Sequence, residues 1–294
     1  MKTYFQRPIT VIFHGNCPDG FASALAAQLF FKQQDGYKQF KDNIIYHKGI
    51  HGTTPPDCQD RDVYIVDFSY KRNDITALCQ QAAKVTIIDH HISALNDLAG
   101  LDEECENLHF NFDMNQSGAV LTWKYFHQDA PVPKLFQHVQ DNDLWRFELD
   151  NTQTIILAIM SYPMRLKLWS SWLIDDKALD VLHQEGLILE RETKRQIKRY
   201  KKASRMGKIA GHIVPLVNAP SSIGSELLHQ LSDGYPFAAA YEDKAEKRVW
   251  QLRSGGDKAI DVSKIALQFG GGGHKNASGF STERINIELH PKNN

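Results

Sequence analysis

Cysteine is scarce in this chain: four among 294 residues, Cys17, Cys58, Cys79 and Cys105, widely spaced and without a Cys-x-x-Cys pair. That excludes a zinc ribbon or a small disulfide scaffold and makes a reducing cytoplasm the expected location. Long apolar runs are missing too. The N-terminal stretch reaches only Val11-Ile12-Phe13 before His14, far short of the roughly 18 to 20 residues of a membrane span, so neither secretion nor membrane anchoring is signalled. There is no excess of one charge, with 34 Lys and Arg against 35 Asp and Glu. No global field therefore selects nucleic acid, lipid or acidic polymers, and partners must be sought in local patches. Internal repeats and low-complexity tracts are likewise absent.

What is present is an ordinary globular composition, 42% hydrophobic and 23% charged, in a length that suits two domains. Ile9-Thr-Val-Ile-Phe13, Asp62-Val-Tyr-Ile-Val-Asp67 and Lys84-Val-Thr-Ile-Ile-Asp89 read as buried strands. Helical patterns lie at 21–31 and around Ile75, Leu78, Cys79 and Ala82. Strands alternating with helices predict a parallel α/β sheet. After His91 the pattern turns helical, at 116–128, 133–142 and 174–205, with no strand signal of comparable strength. Beyond residue 206 the periodicity resets, with strands at 213–217, 237–241 and 249–252 and helices near 222–231 and 261–268. The expected organisation is an N-terminal parallel-sheet domain at 1–185, a basic linker helix at 186–206 and a smaller α/β domain at 207–294.

Histidine is the unusual count, 13 in all, and its placement carries chemistry. His14, Asp19, Asp67, Asp89, His90 and His91 fall at the carboxyl ends of the expected strands, the edge where open parallel sheets bind ligands. Imidazole and carboxylate together suit a divalent metal of the Mn²⁺ type. A lone strand-end Asp is commonly a cap or turn former. The consecutive Asp89-His90-His91 after an apolar strand is harder to explain by structure alone, because burying even one such group demands a partner.

The motifs His14-Gly-Asn-Cys-Pro-Asp19-Gly20, Asp67, Asp89-His90-His91, Asp141-Asn-Asp143-Leu-Trp145 and Gly270-Gly-Gly-Gly273-His274-Lys-Asn-Ala277-Ser-Gly279 stand in the order found in DHH phosphoesterases, and the chain resembles that family over residues 14–279. The last motif is similar to its DHHA1 substrate-binding domain. The resemblance implies a DHH domain and a DHHA1 domain with the active site in the cleft between them, and two metal ions, Mn²⁺ expected and Mg²⁺ as the alternative. It implies hydrolysis of phosphodiester bonds in short oligonucleotides or small nucleotides, as in oligoribonucleases. By the motifs, His14 and Asp67 would hold one ion, Asp19, Asp67, His90 and Asp141 the other, and His91 would face the substrate phosphate. Cys17 stands where the family has an aspartate. It is either a soft ligand that weakens one site or a small residue of the turn. Asp141 is preferred to Asp143 because it aligns Trp145 and Phe147 with the family's aromatics; the two rings would stack on a base or join the core.

Four successive glycines permit positive φ and close approach of backbone N–H groups to an anion. Gly271, Gly272, Gly273 and His274 are therefore expected to bind substrate. Arg253 alone reads as a surface cation, but its place about 20 residues earlier is similar to that of an arginine of DHHA1 domains, and the resemblance implies that its planar fork contacts a substrate phosphate. Residues 191–208 hold nine Lys or Arg against the single Glu192, either a solvated helix face or a track for an oligonucleotide tail. Rival activities are a nucleotide 3′-phosphatase, a polyphosphatase, or a non-catalytic nucleotide-binding protein with an impaired metal site. No membrane and no obligate protein partner is signalled, and homodimerisation stays open.

Overall fold

The computed structural model describes residues 5–175 and 177–283. The chain divides into two units, Met1–Glu190 and Arg191–Asn294. In the first, five strands form an all-parallel sheet: β1 (Ile9–His14), β2 (Ile44–Gly49), β3 (Asp62–Val66), β4 (Lys84–Asp89) and β5 (Leu108–Phe112), in the spatial order β2-β1-β3-β4-β5. Helix α1 (Pro18–Gln33) and the short α2 (Tyr37–Phe40) join β1 to β2. α3 (Arg72–Gln81) joins β3 to β4, and the short α4 (Ile92–Asp97) and α5 (Leu101–Glu104) join β4 to β5.

Alternation along the strands sends side chains to two faces. Val11, Phe13, Val66 and Ile88 pack against α1 in one core cluster. Ile12, Ile65 and Ile87 meet Ile75 and Leu78 of α3 in the other. Strands covered on both faces are apolar throughout, which is why β1, β3 and β4 stand out in the sequence. β2 and β5 escape it because they are edges: Ile44–Gly49 reads IIYHKG with most side chains partly exposed, and Leu108–Phe112 alternates apolar with His109 and Asn111.

Helices α6 (Gly118–His127), α7 (Lys134–Asp143), α8 (Thr152–Ser161) and α9 (Leu166–Ile174) follow. The helical stretch expected at 174–205 corresponds to the 25-residue α10 (Ala178–Lys202), which runs through the division between the units, while α8 and α9 lie before it where no helix was expected. No helix of the described residues is long and apolar enough to cross a membrane.

The second unit carries a six-stranded sheet in the order β10-β11-β9-β8-β7-β6. Its strands are β6 (Arg205–Ile209), β7 (His212–Asn218), β8 (Ala238–Asp243), β9 (Lys247–Arg253), β10 (Gly272–His274) and β11 (Ala277–Glu283). β7 and β8 run parallel and the other neighbours antiparallel. Helices α11 (Gly224–Leu231) and α12 (Val262–Leu267) contribute to separate cores, Leu227 and Leu228 to one and Val262, Ile265 and Ala266 to the other.

One packing contact contradicts simple helix propensity. Gly186 lies inside α10, where Ala would gain ~1 kcal/mol, but a Cβ there would land on the Thr154 backbone carbonyl of α8. Overpacking of that kind costs ~1 to 3 kcal/mol. Gly186→Ala is therefore expected to destabilise the protein in urea unfolding. An unchanged or raised midpoint would show that α8 and α10 can separate at no cost.

Candidate metal centre

The order of the parallel sheet reverses between β1 and β3, and such a switch point opens a crevice at the carboxyl ends of the strands. His14 closes β1, Asp67 follows β3 and Asp89 closes β4. α1 begins immediately beyond, with Pro at its start, a position where the missing N–H costs nothing. Gly20 lets that helix begin against β1, since a Cβ would strike the His14 carbonyl.

Asp67 is the centre of the arrangement. It is 1% exposed and holds a left-handed backbone, φ 54°, a conformation sparsely populated outside glycine and concentrated at functional sites. Its two oxygens face different imidazoles: Oδ1 is 3.1 Å from His90 Nε2 and Oδ2 is 3.4 Å from His14 Nδ1. Desolvation pushes its pKa up, but the His14 and His90 contacts outweigh that and hold it well below the ordinary carboxylate value.

Three ligand groups overlap around it. The donor atoms of His14, Cys17 and Asp67 lie within 4.8 Å of one another; so do those of Asp19, His90 and Asp143, and those of Asp67, Asp89, His90 and His91. His90 Nε2 is 3.5 Å from Asp143 Oδ2 and 3.7 Å from Asp19 Oδ2. Asp19 is also anchored from α6, accepting from Gly118 N at 2.6 Å and Ala119 N at 3.1 Å, with the positive end of the helix favouring the carboxylate. Gly118 is needed there because any Cβ would collide with Asp67. Asp89 Oδ1 accepts from His90 N at 2.8 Å and lies 2.7 Å from His91 Nδ1. It fixes the first imidazole's backbone and the second's ring.

The structure corrects one expected ligand. Asp141 is turned away from the cluster, with its carboxylate committed to the following loop: Oδ1 accepts from Glu148 N at 2.8 Å, and Oδ2 from Leu149 N at 3.1 Å and Thr152 Oγ1 at 2.6 Å. Burial raises its pKa, but these donors outweigh it and the net shift is downward. Asp143, at the last turn of α7, reaches His90 instead. Two residues on a helix point about 200° apart, so only one of the pair can face the sheet edge. Asp141 shapes a loop in which Trp145 and Phe147 take left-handed conformations, φ 56° and 52°, with their rings edge-on at 4.7 Å. Sequence reasoning weighed Asp143 but preferred Asp141, and it missed Gly118 as a site residue. For Gly118 the available signal was the Ser-Gly step before an apolar helix.

These residues fit a divalent cation. Asp19, Asp67 and Asp143 are crowded around His90, and the buried Asp89 Oδ2 makes no hydrogen bond among the described residues. Desolvation and then Asp67 and Asp143 push Asp19 well up. Desolvation also raises Asp143 and the Cys17 thiol, the latter with help from the carboxylates. Desolvation opposes protonation of His90, but Asp67, Asp143 and Asp19 prevail and raise it to about 10. The cluster thus holds protons where a cation would relieve the repulsion.

In the second unit, strand register aligns the expected substrate residues. Arg253 pairs with Ala277 of β11 and Ala277 with His274 of β10, so all three share one face with the small Ala277 between the larger two. Arg253 donates to Ser225 Oγ at 2.7 Å and to the Leu252 carbonyl at 2.9 Å. Burial brings its pKa down to about 10. The expected glycine loop is partly strand: Gly272 and Gly273 belong to β10. Close packing explains two glycines, since a Cβ on Gly271 would meet the Gly279 carbonyl and one on Gly273 would crowd Ala277 and Ser278.

No protein-family model matches the chain. It is 31% identical over 294 residues to uncharacterized protein R106 of Acanthamoeba polyphaga mimivirus, covering 94% of this chain and 68% of that protein, and the two belong to one family. Among solved structures it is similar to the Mn²⁺ complex of RecJ from Thermus thermophilus, with a TM-score of 0.50 and 15% identity. That match covers 94% of this chain and 49% of RecJ, so the chain spans about half of RecJ's length. It also aligns with the pGpG-specific phosphodiesterase PggH from Vibrio cholerae, TM-score 0.49 and 14% identity, over 94% of this chain and 93% of that one.

Metal binding must displace the protons just described, so affinity should rise with pH, about tenfold per pH unit for each proton expelled. Calorimetric Mn²⁺ titrations from pH 6 to 8, in buffers of different ionisation enthalpy, should show proton release; a pH-independent Kd without release would mean the donors are already bare. Asp143→Asn should cost metal affinity. Asp141→Asn should keep the metal stoichiometry but lower stability by ~1 to 3 kcal/mol. The opposite pattern would restore Asp141 as the ligand.

Proposed function

We propose that this chain is a metal-dependent phosphoesterase of the DHH/DHHA1 type, a reading supported by its ordered motifs and by a fold similar to that of RecJ. Its substrates would be short oligonucleotides or small nucleotides, cleaved at a phosphodiester bond by a metal-activated water. The observation that carries this reading is Asp67, whose two carboxylate oxygens face His14 and His90 separately, the disposition of a bridging ligand. His14, Asp67 and Cys17 would hold one ion and Asp19, Asp67, His90 and Asp143 the other. Mn²⁺ suits this oxygen and imidazole set, with Mg²⁺ as the alternative and the Cys17 side the weaker. When bound, two such cations lower the pKa of water and neutralise charge on phosphorus oxygens during in-line attack.

The chain's own residues do the positioning. Asp89 holds the His91 ring through Nδ1, and although desolvation lowers the pKa of His91, Asp89 outweighs it and keeps the imidazole charged to higher pH than usual. A cationic His91 then donates through Nε2 to a phosphate oxygen. Arg253 and His274, with Gly271, Gly272 and Gly273 beside them, would grip a second phosphate or the product end. A reducing, cytoplasmic setting fits the free cysteines.

Hydrolysis of dinucleotides, bis-p-nitrophenyl phosphate, a 3′-phosphoadenosine nucleotide and polyphosphate, each with Mn²⁺ or EDTA, tests the reading. Metal-dependent cleavage of the first two is expected. Asp67→Ala should abolish it while the protein stays folded; more than a few per cent residual turnover would remove Asp67 from the centre. Arg253→Ala and His274→Ala should mainly raise KM, each losing a charge-assisted hydrogen bond of ~1.5 to 3 kcal/mol. Unchanged kcat/KM in both would take the second unit out of substrate binding.

A further inference from the structure

The metal reading leaves unused a strongly basic surface of the second unit. Between Arg191 and Lys202, α10 has seven Lys or Arg and one acidic residue, Glu192. At 100° per residue, Arg191, Arg195, Lys198 and Lys202 form one line with Lys194, Arg199 and Lys201 flanking it, and all seven are exposed. The opposite side is fixed by Ile197, buried with Val217, Leu227 and Leu228. The helix cannot roll, and its cations stay outward. Glu192 pairs with Arg195 at 2.7 Å and also feels the charge of Arg199. In a chain of near-neutral net charge, this is a local concentration of one sign.

The stripe ends at a pocket of about 410 Å³. Lys201 Nζ donates to Gln230 Oε1 at 3.2 Å, and Gln230 lines that pocket with Arg205, Met206, Asp233 and Tyr235. Met206 and Tyr235 are 49% and 37% exposed, a soft and an aromatic surface at the pocket wall. Asp233 would repel a phosphate there but can accept from a base amino group. A cationic track leading to an aromatic pocket with an acceptor suits a polymer that alternates anionic linkages with flat rings.

We propose that this face binds single-stranded nucleic acid. Phosphates lie along Arg191, Arg195, Lys198 and Lys202, and one base enters the pocket against Tyr235. The stretch from Arg191 to Lys202 spans about 18 Å at 1.5 Å per residue, room for a few nucleotides. The inference rests on the phosphoesterase reading in taking that strand as substrate, but the binding itself needs no metal.

Fluorescence anisotropy with a labelled 20-mer single-stranded RNA, in EDTA, separates the two. The 294-residue protein should bind it with a strongly salt-dependent Kd. Replacing Arg191, Lys198 and Lys202 together by Gln should lower the slope of log Kd against log salt by about 2, at roughly 0.7 per phosphate contact on a single strand. Tyr235→Ala should weaken binding without changing that slope. Circular dichroism checks that each variant is folded, and the Lys198→Arg and Lys202→Arg double variant should bind like wild type. Absence of wild-type binding, or an unchanged slope in the triple variant, overturns the proposal whether or not dinucleotides are cleaved. Polyphosphate competing as well as RNA of equal charge, with Tyr235→Ala neutral, overturns it in favour of a plain polyanion site.

Discussion

Like charges held together out of water govern this molecule's first unit. Asp19, Asp67 and Asp143 all approach His90, and none would choose that company unaided. Each is restrained from a different direction: Asp19 by the amides that open α6, Asp67 by the turn that leaves β3, Asp143 by the end of α7. The sheet order brings three strand ends to one crevice, and the two-sided core fixes the strands. The repulsion is balanced by imidazoles and protons until a cation replaces them.

Much of this was legible in the sequence because burial on both faces writes itself as an uninterrupted apolar run. β1, β3 and β4 are such runs, and the polar residues closing them, His14, Asp67 and Asp89, come together in overlapping clusters. Edge strands leave no such mark. Ile44–Gly49 and Leu108–Phe112 pair on one side only and carry polar residues, and β10 is two glycines and a histidine held by its neighbour. Tertiary pairing, not propensity, makes them strands.

Asp141 and Asp143 show a different limit. Motif alignment placed both within reach and could not say which way α7 faces. That depends on the loop after the helix, where Glu148, Leu149 and Thr152 capture Asp141 and leave Asp143 facing His90. Which carboxylate joins the cluster is set here by what its neighbour is already doing. In the second unit the glycine run likewise proved partly a packing requirement of a narrow sheet, although the same row still sets Arg253 and His274 on one face.

Gly118 carries no charge and touches no reacting atom, yet its missing side chain is what lets Asp67 stand beside the start of α6. The two positions are therefore epistatic: no residue larger than hydrogen at 118 is compatible with the present backbone at 67. Drift at 118 would break up the cluster while leaving every acid and histidine in place. Among descendants of this chain, a lineage could keep all of these side chains and still lose their arrangement, betrayed only by a methyl group.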